Sequence, residues 1–448
     1  MNPKTTIPIN PASSGCLIAL TQRQTQLRAS TFPTRRIPRA LFAIGLAFCG
    51  TLAASAQSLP PWSTVDDIEN GSVAAMAADR FGNVFVAGNV NVGGVPQACI
   101  TRSSDQGSTW TSTVYGDARK YSGIAAATIE IAPATETAPA VLQDQLAAVA
   151  EANGQWITRR SLDAGETWET VDIFNATGIN SGYFRDVAID SIGNLYVVGY
   201  TIKQTVVKNK ISNTYYWRVR KIASGATVAS DSGKTTFDLL DTGNGGYSMP
   251  DGLVCVGANV FVAGTSGDRW QVRKNSGGGA AWELVDDWRY DANYPSQVRG
   301  ITADQSGNLY VVGQGFRALG RRSTQRHWIV RKGTGLGTSS FQTVDQFELE
   351  LDKGSMASGV SVDPAGNVHV TGLGFATVDS YTPAHWITRR LSAATGTWST
   401  TDHYFLAPDS TSQGLNNVAN SAGNVFAAGW ASDATGRHDW VVRRQLAP

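Results

Sequence analysis

The 448 residues include 47 Gly, 13 Trp and 13 Tyr but only 16% charged side chains, a composition that suits many short packed strands joined by tight turns and excludes coiled coil, collagen and bulk disorder. The formal charge of +1 conceals an asymmetry: residues 1–56 hold Lys4, Arg23, Arg28, Arg35, Arg36 and Arg39 and no acid, leaving 31 basic against 36 acidic side chains in the remainder. A mildly acidic body lacks the basic stripe that displaces counterions from phosphate, so no nucleic-acid partner is expected.

At the N-terminus, Arg35, Arg36 and Arg39 precede an apolar run from Leu41 to Ala54, and Ala54-Ser55-Ala56 supplies a small-x-small cleavage pattern before Gln57. Basic region, short apolar run and small-residue site together are the signature of a secretory signal peptide. The run is too short to serve as a stable membrane anchor. Residues 1–56 are therefore expected to be a leader that is removed, leaving no transmembrane anchor and a secreted or periplasmic mature chain. Thr34-Arg35-Arg36 as a twin-arginine signal and Cys49 as a lipoprotein cysteine are the lesser alternatives. Cys16 and Cys49 leave with the leader, and Cys99 and Cys255 fall in distant repeats, so no disulfide is expected.

From residue 57 the chain repeats. "GQWITRR" at Trp156 recurs as "YYWRVRK" at Trp217, "DRWQVRK" at Trp270, "RHWIVRK" at Trp328, "AHWITRR" at Trp386 and "HDWVVRR" at Trp440, and "QACITRS" fits the frame with Cys99 in place of Trp. Successive copies lie 57, 61, 53, 58, 58 and 54 residues apart. A second segment precedes most of them: "DRFGNVFVAG" from Asp79, "DSIGNLYVVG" from Asp190, "DQSGNLYVVG" from Asp304, "DPAGNVHVTG" from Asp363 and "NSAGNVFAAG" from Asn420. Each reads as a strand end, a Gly-Asn turn and a strand of alternating β-branched and aromatic residues. A third segment follows, as "TWETVD" at Trp168, "AWELVD" at Trp282, "SFQTVD" at Phe341 and "TWSTTD" at Trp398. Four short strands per repeat describe one blade of a β-propeller. Copy two, residues 121–155, is Ala-rich and lacks the Gly-Asn turn, yet strands are expected there too.

The mature chain begins with "PWSTVDD" at Trp62, which matches a fourth strand, and ends on "DWVVRRQLAP", a third strand without its fourth. The fold expected for 57–448 is therefore a single all-β, seven-bladed propeller of four-stranded antiparallel blades, closed by the N-terminal strand completing the last blade. Closure of this kind removes exposed sheet edges. A monomer is expected.

The third-to-fourth-strand turn carries the most specific motif. Ser103, Asp105, Gly107 and Trp110 in "SSDQGSTW", and Ser161, Asp163, Gly165 and Trp168 in "SLDAGETW", fit Ser-x-Asp-x-Gly-x-Thr-Trp. The carboxylate can accept turn amides, Gly permits a positive φ and Trp packs between sheets. These turns resemble the Asp-box, or bacterial neuraminidase repeat, propellers, and the Gly-Asn strands resemble bacterial repeat propellers of the NHL and SBBP kind. The resemblance covers roughly residues 60 to 448. It implies the fold and a structural role for the boxes. It also raises the possibility of sialidase chemistry, where an arginine cluster holds the substrate carboxylate and a Tyr nucleophile works with acidic residues. The family's aromatic-Arg-Ile-Pro motif is matched only by Arg36-Ile37-Pro38, without the aromatic and inside the leader.

An arginine follows each Trp position by three: Arg102, Arg159, Arg220, Arg273, Arg331, Arg389 and Arg443. Residues repeated in every blade serve packing, so pairing with carboxylates between strands is expected near Asp79, Asp190, Asp304 and Asp363, the individual partners remaining open. No histidine shows zinc-ligand spacing, no catalytic Cys or phosphate loop occurs, and neither metal nor cofactor is implied. In a four-strand meander the stereotyped turns share one face and the variable loops the other, which is the default binding surface. Two neighbouring loops there hold Trp288, Arg289, Tyr290 and Tyr294, and Arg317, Arg321, Arg322 and Arg326. Aromatic and guanidinium groups together suit sugar rings or carboxylates. The function read from sequence is an exported, non-catalytic scaffold for a glycan, protein or envelope component. A divergent sialidase-like glycoside hydrolase is the alternative.

Overall fold

A computed structural model of the chain describes residues 58–448 apart from 136–137, 176–180, 208–209, 241–247, 278, 280, 321–322, 338–339, 377–382, 408 and 434. The segment expected to be a leader, with Arg35, Leu41 to Ala54 and Ala54-Ser55-Ala56, lies outside the described residues. The described residues form 28 strands in seven four-stranded antiparallel sheets. Blades 1 to 6 span 72–115, 120–174, 181–240, 248–288, 296–347 and 355–404. Blade 7 combines three strands within 412–445 with the N-terminal strand Ser63–Glu69. The first strand of each blade touches that of the next, and the first strand of blade 7 touches that of blade 1, so the ring is a seven-bladed β-propeller. Ala-rich blade 2 has its four strands as well.

Two second-to-third-strand hairpins are long, and one of them includes Arg317 and Arg326 of a segment read as a loop. "YTIKQTVVKNKISNTYY" is the end of one long hairpin, with Leu195–Val207 registered against Lys210–Ile222. Leu309–Leu319 and Ser323–Gly333 form another in blade 5. Their β-branched and aromatic residues alternate as a strand requires, so the pairing continues beyond the body of the blade.

The joints between blades explain the repeated tryptophans. Trp156, Trp217, Trp270, Trp328, Trp386 and Trp440 are all essentially fully buried. Four pack edge-to-face on an aromatic from the fourth strand of their own blade: Phe174, Trp288, Phe347 and Tyr404, at centroid distances of 5.3, 5.6, 5.8 and 5.9 Å. In five joints the far edge of the indole reaches the next blade at the glycine of a Val-x-Gly stretch in its second strand. A Cβ on Gly372 would stand 2.0 Å from the Met356 carbonyl oxygen and 2.7 Å from the Trp328 ring. Gly88, Gly199, Gly264 and Gly313 form the same seat for Trp440, Trp156, Trp217 and Trp270. Where the tryptophan is replaced, the seat is replaced too. Blade 1 offers Cys99, the facing residue in blade 2 is Ala150, and the joint also buries Tyr121.

The repeated arginines bridge the same joints. Arg331 makes two bonds to Asp286, 2.9 and 2.8 Å, with its guanidinium 4.6 Å from the Trp288 ring centre. Arg389 holds Asp345 over Phe347, Arg443 holds Asp402 over Tyr404, and Arg220 holds Asp172 over Phe174. Each pair runs from a third strand back to the fourth strand of the preceding blade. The partners are thus the aspartates of the "TVD" segments. Asp79, Asp190, Asp304 and Asp363 instead accept amides of their own Gly-Asn turns, as in the 2.9 Å bonds from Phe81 and Asn83 to Asp79. Burial pushes Asp286 and Asp402 above the usual carboxylate range although an arginine opposes it. Each such pair links one blade to the next by paired, charge-assisted hydrogen bonds.

The closing joint departs from the pattern. The N-terminal strand pairs with His438–Gln445 through a bulge between Thr64 and Asp66, which puts Asp66 where Asp345 and Asp402 stand elsewhere. The arginine that should meet it, Arg102, is ion-paired with Glu166 of blade 2 instead. One Asp66 oxygen is buried with no hydrogen-bond partner. Burial raises this carboxyl to about 6, with Asp67 adding repulsion and an Asp67 backbone bond opposing.

Two outcomes follow. Arg331→Met strands a buried Asp286 and is expected to cost about 3 to 5 kcal/mol. Arg102→Met, whose partner Glu166 is 69% exposed, is expected to cost no more than about 1 kcal/mol; urea titrations at pH 7 check both. Asp66 has a raised folded-state pKa, so its ionisation disfavours the folded ring above pH about 6 and not below the ordinary carboxylate value. Asp66→Asn is accordingly expected to raise the melting temperature at pH 7.5, with the gain vanishing as pH falls through 6 towards 4, as read by thermal melts across that range.

Candidate functional site

The meander order divides the turns between two faces. On one face lie the Gly-Asn turns and the Ser-x-Asp-x-Gly-x-Thr-Trp turns, whose polar groups satisfy one another. Asp105 accepts the Ser108 and Thr109 amides at 3.0 and 2.8 Å and the Thr109 hydroxyl at 2.6 Å, and the Thr109 bonds hold it down at about 2. Asp163 is bonded the same way by Thr167, and Gly107 and Gly165 sit at φ +84° and +85°. Ser103 and Ser161 donate to the Asp of their own turn. Trp110 meets Phe426 of blade 7 edge-on, and Trp168 Nε1 donates to Gly165. These eight residues shape turns.

The opposite face carries the second-to-third-strand hairpins and the inter-blade loops. Trp288 does not extend into a loop there: it ends the strand Glu283–Trp288, packed between Trp270 and the Arg331 guanidinium. Arg289 bonds the Ala292 carbonyl at 2.6 Å and pairs with Asp268. The Tyr294 amide closes a turn on Asp291. Arg317 lies in a strand and reaches Gln325 and, at 3.0 Å, Asp352. Arg326, also in a strand, lies over Phe375 of blade 6. Arg321 and Arg322 are outside the described residues. The structure does bring Tyr290 across the joint onto His327, ring centres 4.9 Å apart. His327 Nδ1 is 2.6 Å from Glu348. Burial lowers the His327 pKa while Glu348 opposes the shift, so this ring is neutral at pH 7.

A second cluster lies on blade 3. Tyr183, 41% exposed, stacks on Tyr200 at 5.2 Å, and Tyr200 faces Tyr215 at 6.1 Å. Arg185, two residues after Tyr183, places its guanidinium 5.6 Å from the Tyr200 ring centre. The aromatic ladder thus leads towards the axis of the ring.

The axis is a channel of about 510 Å³ lined by the first strands of all seven blades. Every first strand carries a bulge at the same place, and the bulged residues are Ala74, Ser122, Arg185, Asp251, Arg299, Ser358 and Leu415. A bulge leaves its residue out of the ladder and re-aims the side chain, and all seven line this channel. First strands start from the inter-blade loops, and the bulges lie at or before their midpoints, so the ring of bulges sits towards the loop face. Its charges are confined to three consecutive blades: Arg185, Asp251 and Arg299. Burial raises Asp251 to about 6 against the pull of Arg299 and Arg185, and burial raises Asp186 beside them to about 7 although the Leu253 and Val187 amides bond it. Arg185, Asp251 and Arg299 escaped the sequence reading. The signal was there: the residue five before Asp79, Asp190, Asp304, Asp363 and Asn420 is Ala74, Arg185, Arg299, Ser358 and Leu415.

No family model matches the chain, and no curated protein matches it either. Among solved structures, it is similar to a protein of unknown function from Dyadobacter fermentans, 11% identical over 87% of this chain and 100% of that one, TM-score 0.43. The α-L-arabinofuranosidase Arb93A of Fusarium graminearum is 11% identical over 86% and 98%, TM-score 0.43. NanB sialidase of Streptococcus pneumoniae is 9% identical over 87% and 70%, TM-score 0.41. The neighbours thus include a glycoside hydrolase and a sialidase.

Proposed function

We propose that this chain is an exported, monomeric and non-catalytic β-propeller that binds a glycan, protein or envelope component through its loop face. One contrast carries the reading. The Trp, Arg and Asp that recur from blade to blade are taken up in the joints, whereas the loop face carries groups that occur once: exposed Tyr183, backed by buried Tyr200 and by Tyr215, and half-buried Tyr290, stacked on buried His327 beside Arg317. Aromatic and guanidinium groups held by a rigid scaffold suit sugar rings and carboxylates. The resemblance to Asp-box propellers supports the architecture and leaves the sialidase-like hydrolase as the rival.

A glycan array and envelope extracts probed with wild type, Tyr183→Ala, Tyr290→Ala and Arg322→Ala are expected to show a loss of roughly tenfold or more for at least one variant, a hot-spot effect of about 2 kcal/mol, at unchanged melting temperature. Turnover of any member of a fluorogenic glycoside panel by wild type would overturn the non-catalytic reading. For export, mass spectrometry of the protein recovered from its natural source is expected to find Gln57 as the first residue; an intact Leu41 to Ala54 segment in the cytoplasm would refute it.

A further inference from the structure

The ring of bulges is an unusual place for charge. These positions face the channel in every blade, and in blades 1, 2, 6 and 7 they hold Ala74, Ser122, Ser358 and Leu415, which need no counterion. Blades 3, 4 and 5 place a guanidinium, a carboxylate and a guanidinium side by side. The repeated arginines of the blade joints are closed onto aspartates at hydrogen-bond distance. Among the described residues, by contrast, no ion pair joins Asp251 to Arg185 or Arg299, although both act on its charge. Arg185 has one Nη against Met249 Sδ at 3.4 Å, its face towards Tyr200, and its Nε buried without a hydrogen-bond partner. Arg299 is exposed in the channel wall.

We propose that the loop-face end of the channel is a binding site for a small carboxylate-bearing ligand, held between Arg185 and Arg299 against Asp251. The inference goes beyond the loop-face reading and stands whether or not that reading holds. Guanidinium groups recognise carboxylates by charge-assisted and often paired hydrogen bonds, and a channel of about 510 Å³ has the size of a small-molecule pocket. The serines at Ser122 and Ser358 offer hydroxyls to the rest of such a ligand.

Asp251 makes the site proton-linked. The titratable and charged groups lining the channel are Arg185, Asp186, Asp251, Cys255 and Arg299. Burial pushes the Cys255 thiol up to about 12, so it is neutral throughout. With Asp186 at about 7 and Asp251 at about 6, two carboxylates oppose the two guanidinia above pH 7 and repel an incoming anion. Below pH 6 they take up protons from solvent, the site becomes net positive, and a protonated Asp251 can donate its O–H to the ligand carboxylate. Affinity therefore rises as pH falls through 7 and 6, until the ligand's own carboxylate is protonated.

Isothermal titration calorimetry of the mature protein with glucuronate and with acetate, at pH 5.0 and 7.5 and in buffers of different ionisation enthalpy, tests this. At least one probe is expected to bind at least tenfold more tightly at pH 5.0, with net proton uptake on binding at pH 7.5. Arg299→Gln, a change at an exposed side chain, is expected to weaken binding at least tenfold at unchanged melting temperature, and Asp251→Asn to narrow the gap between the pH 7.5 and pH 5.0 affinities, Asp186 accounting for what remains. Glucuronate binding without acetate binding would mark a sugar acid as the source of the carboxylate; binding of both would mark the carboxylate alone. No heat with either probe at either pH, or unchanged affinity in Arg299→Gln, would overturn the proposal. So would pH-independent binding, which needs no variant to detect. Tyr290→Ala should leave these affinities unchanged, which separates failure here from failure of the loop-face reading.

Discussion

The structure depends on one contact repeated around the ring: an indole from one blade lying over a glycine of the next. Its demands reach in both directions. The glycine position tolerates no side chain, because a Cβ on Gly313 would meet both the Gln297 carbonyl oxygen, at 2.1 Å, and the Trp270 ring. The indole must be oriented, which the edge-on aromatic at the end of the fourth strand does. The arginine then lies over that aromatic and binds the aspartate two residues before it, so one short segment, Asp286 to Trp288 or Asp402 to Tyr404, takes part in indole packing, cation–π contact and ion pair at once. The exception at Cys99 and Ala150 argues for the same constraint, since both sides of the contact change together.

This is why the architecture was legible in the sequence. A contact made in five joints writes the same letters five times, and the turns that set its spacing need Gly, Asn and Asp for local reasons that show in a single copy. The arginine partners were not legible, because each pair links strands of different blades some 41 to 48 residues apart, and the nearer Gly-Asn aspartates were the obvious candidates. Trp288 misleads for a related reason. In isolation "DDWRYDANY" reads as an aromatic loop, yet the register with Trp270 makes its tryptophan the counterpart of Phe174, Phe347 and Tyr404.

The channel charges were hidden by a different physics. Strand alternation assigns residues to faces by parity, and a bulge breaks parity at one residue. Arg185, Asp251 and Arg299 sit at that break, where pattern gives no prediction of exposure. The consequence is a division of labour: residues that obey the alternation build the ring, and residues at its interruptions vary from blade to blade without cost to the joints.

Closure by the strand Ser63–Glu69 orders events in time. Its hydrogen-bonded partners lie near the other end of the chain, as in the contact between Asn70 and Asp439, 369 positions away. Loop closure over such a separation is entropically the most expensive in the molecule, and it cannot occur until the last repeat has been made. The first strand of the described residues is thus the last to find its place. Its edge stays unpaired until that closure, and its own Asp66 has no arginine to hold it, because Arg102 of blade 1 pairs with Glu166. The step that completes the ring is consequently the one by which a newly made chain can be delayed, intercepted or, once formed, reopened.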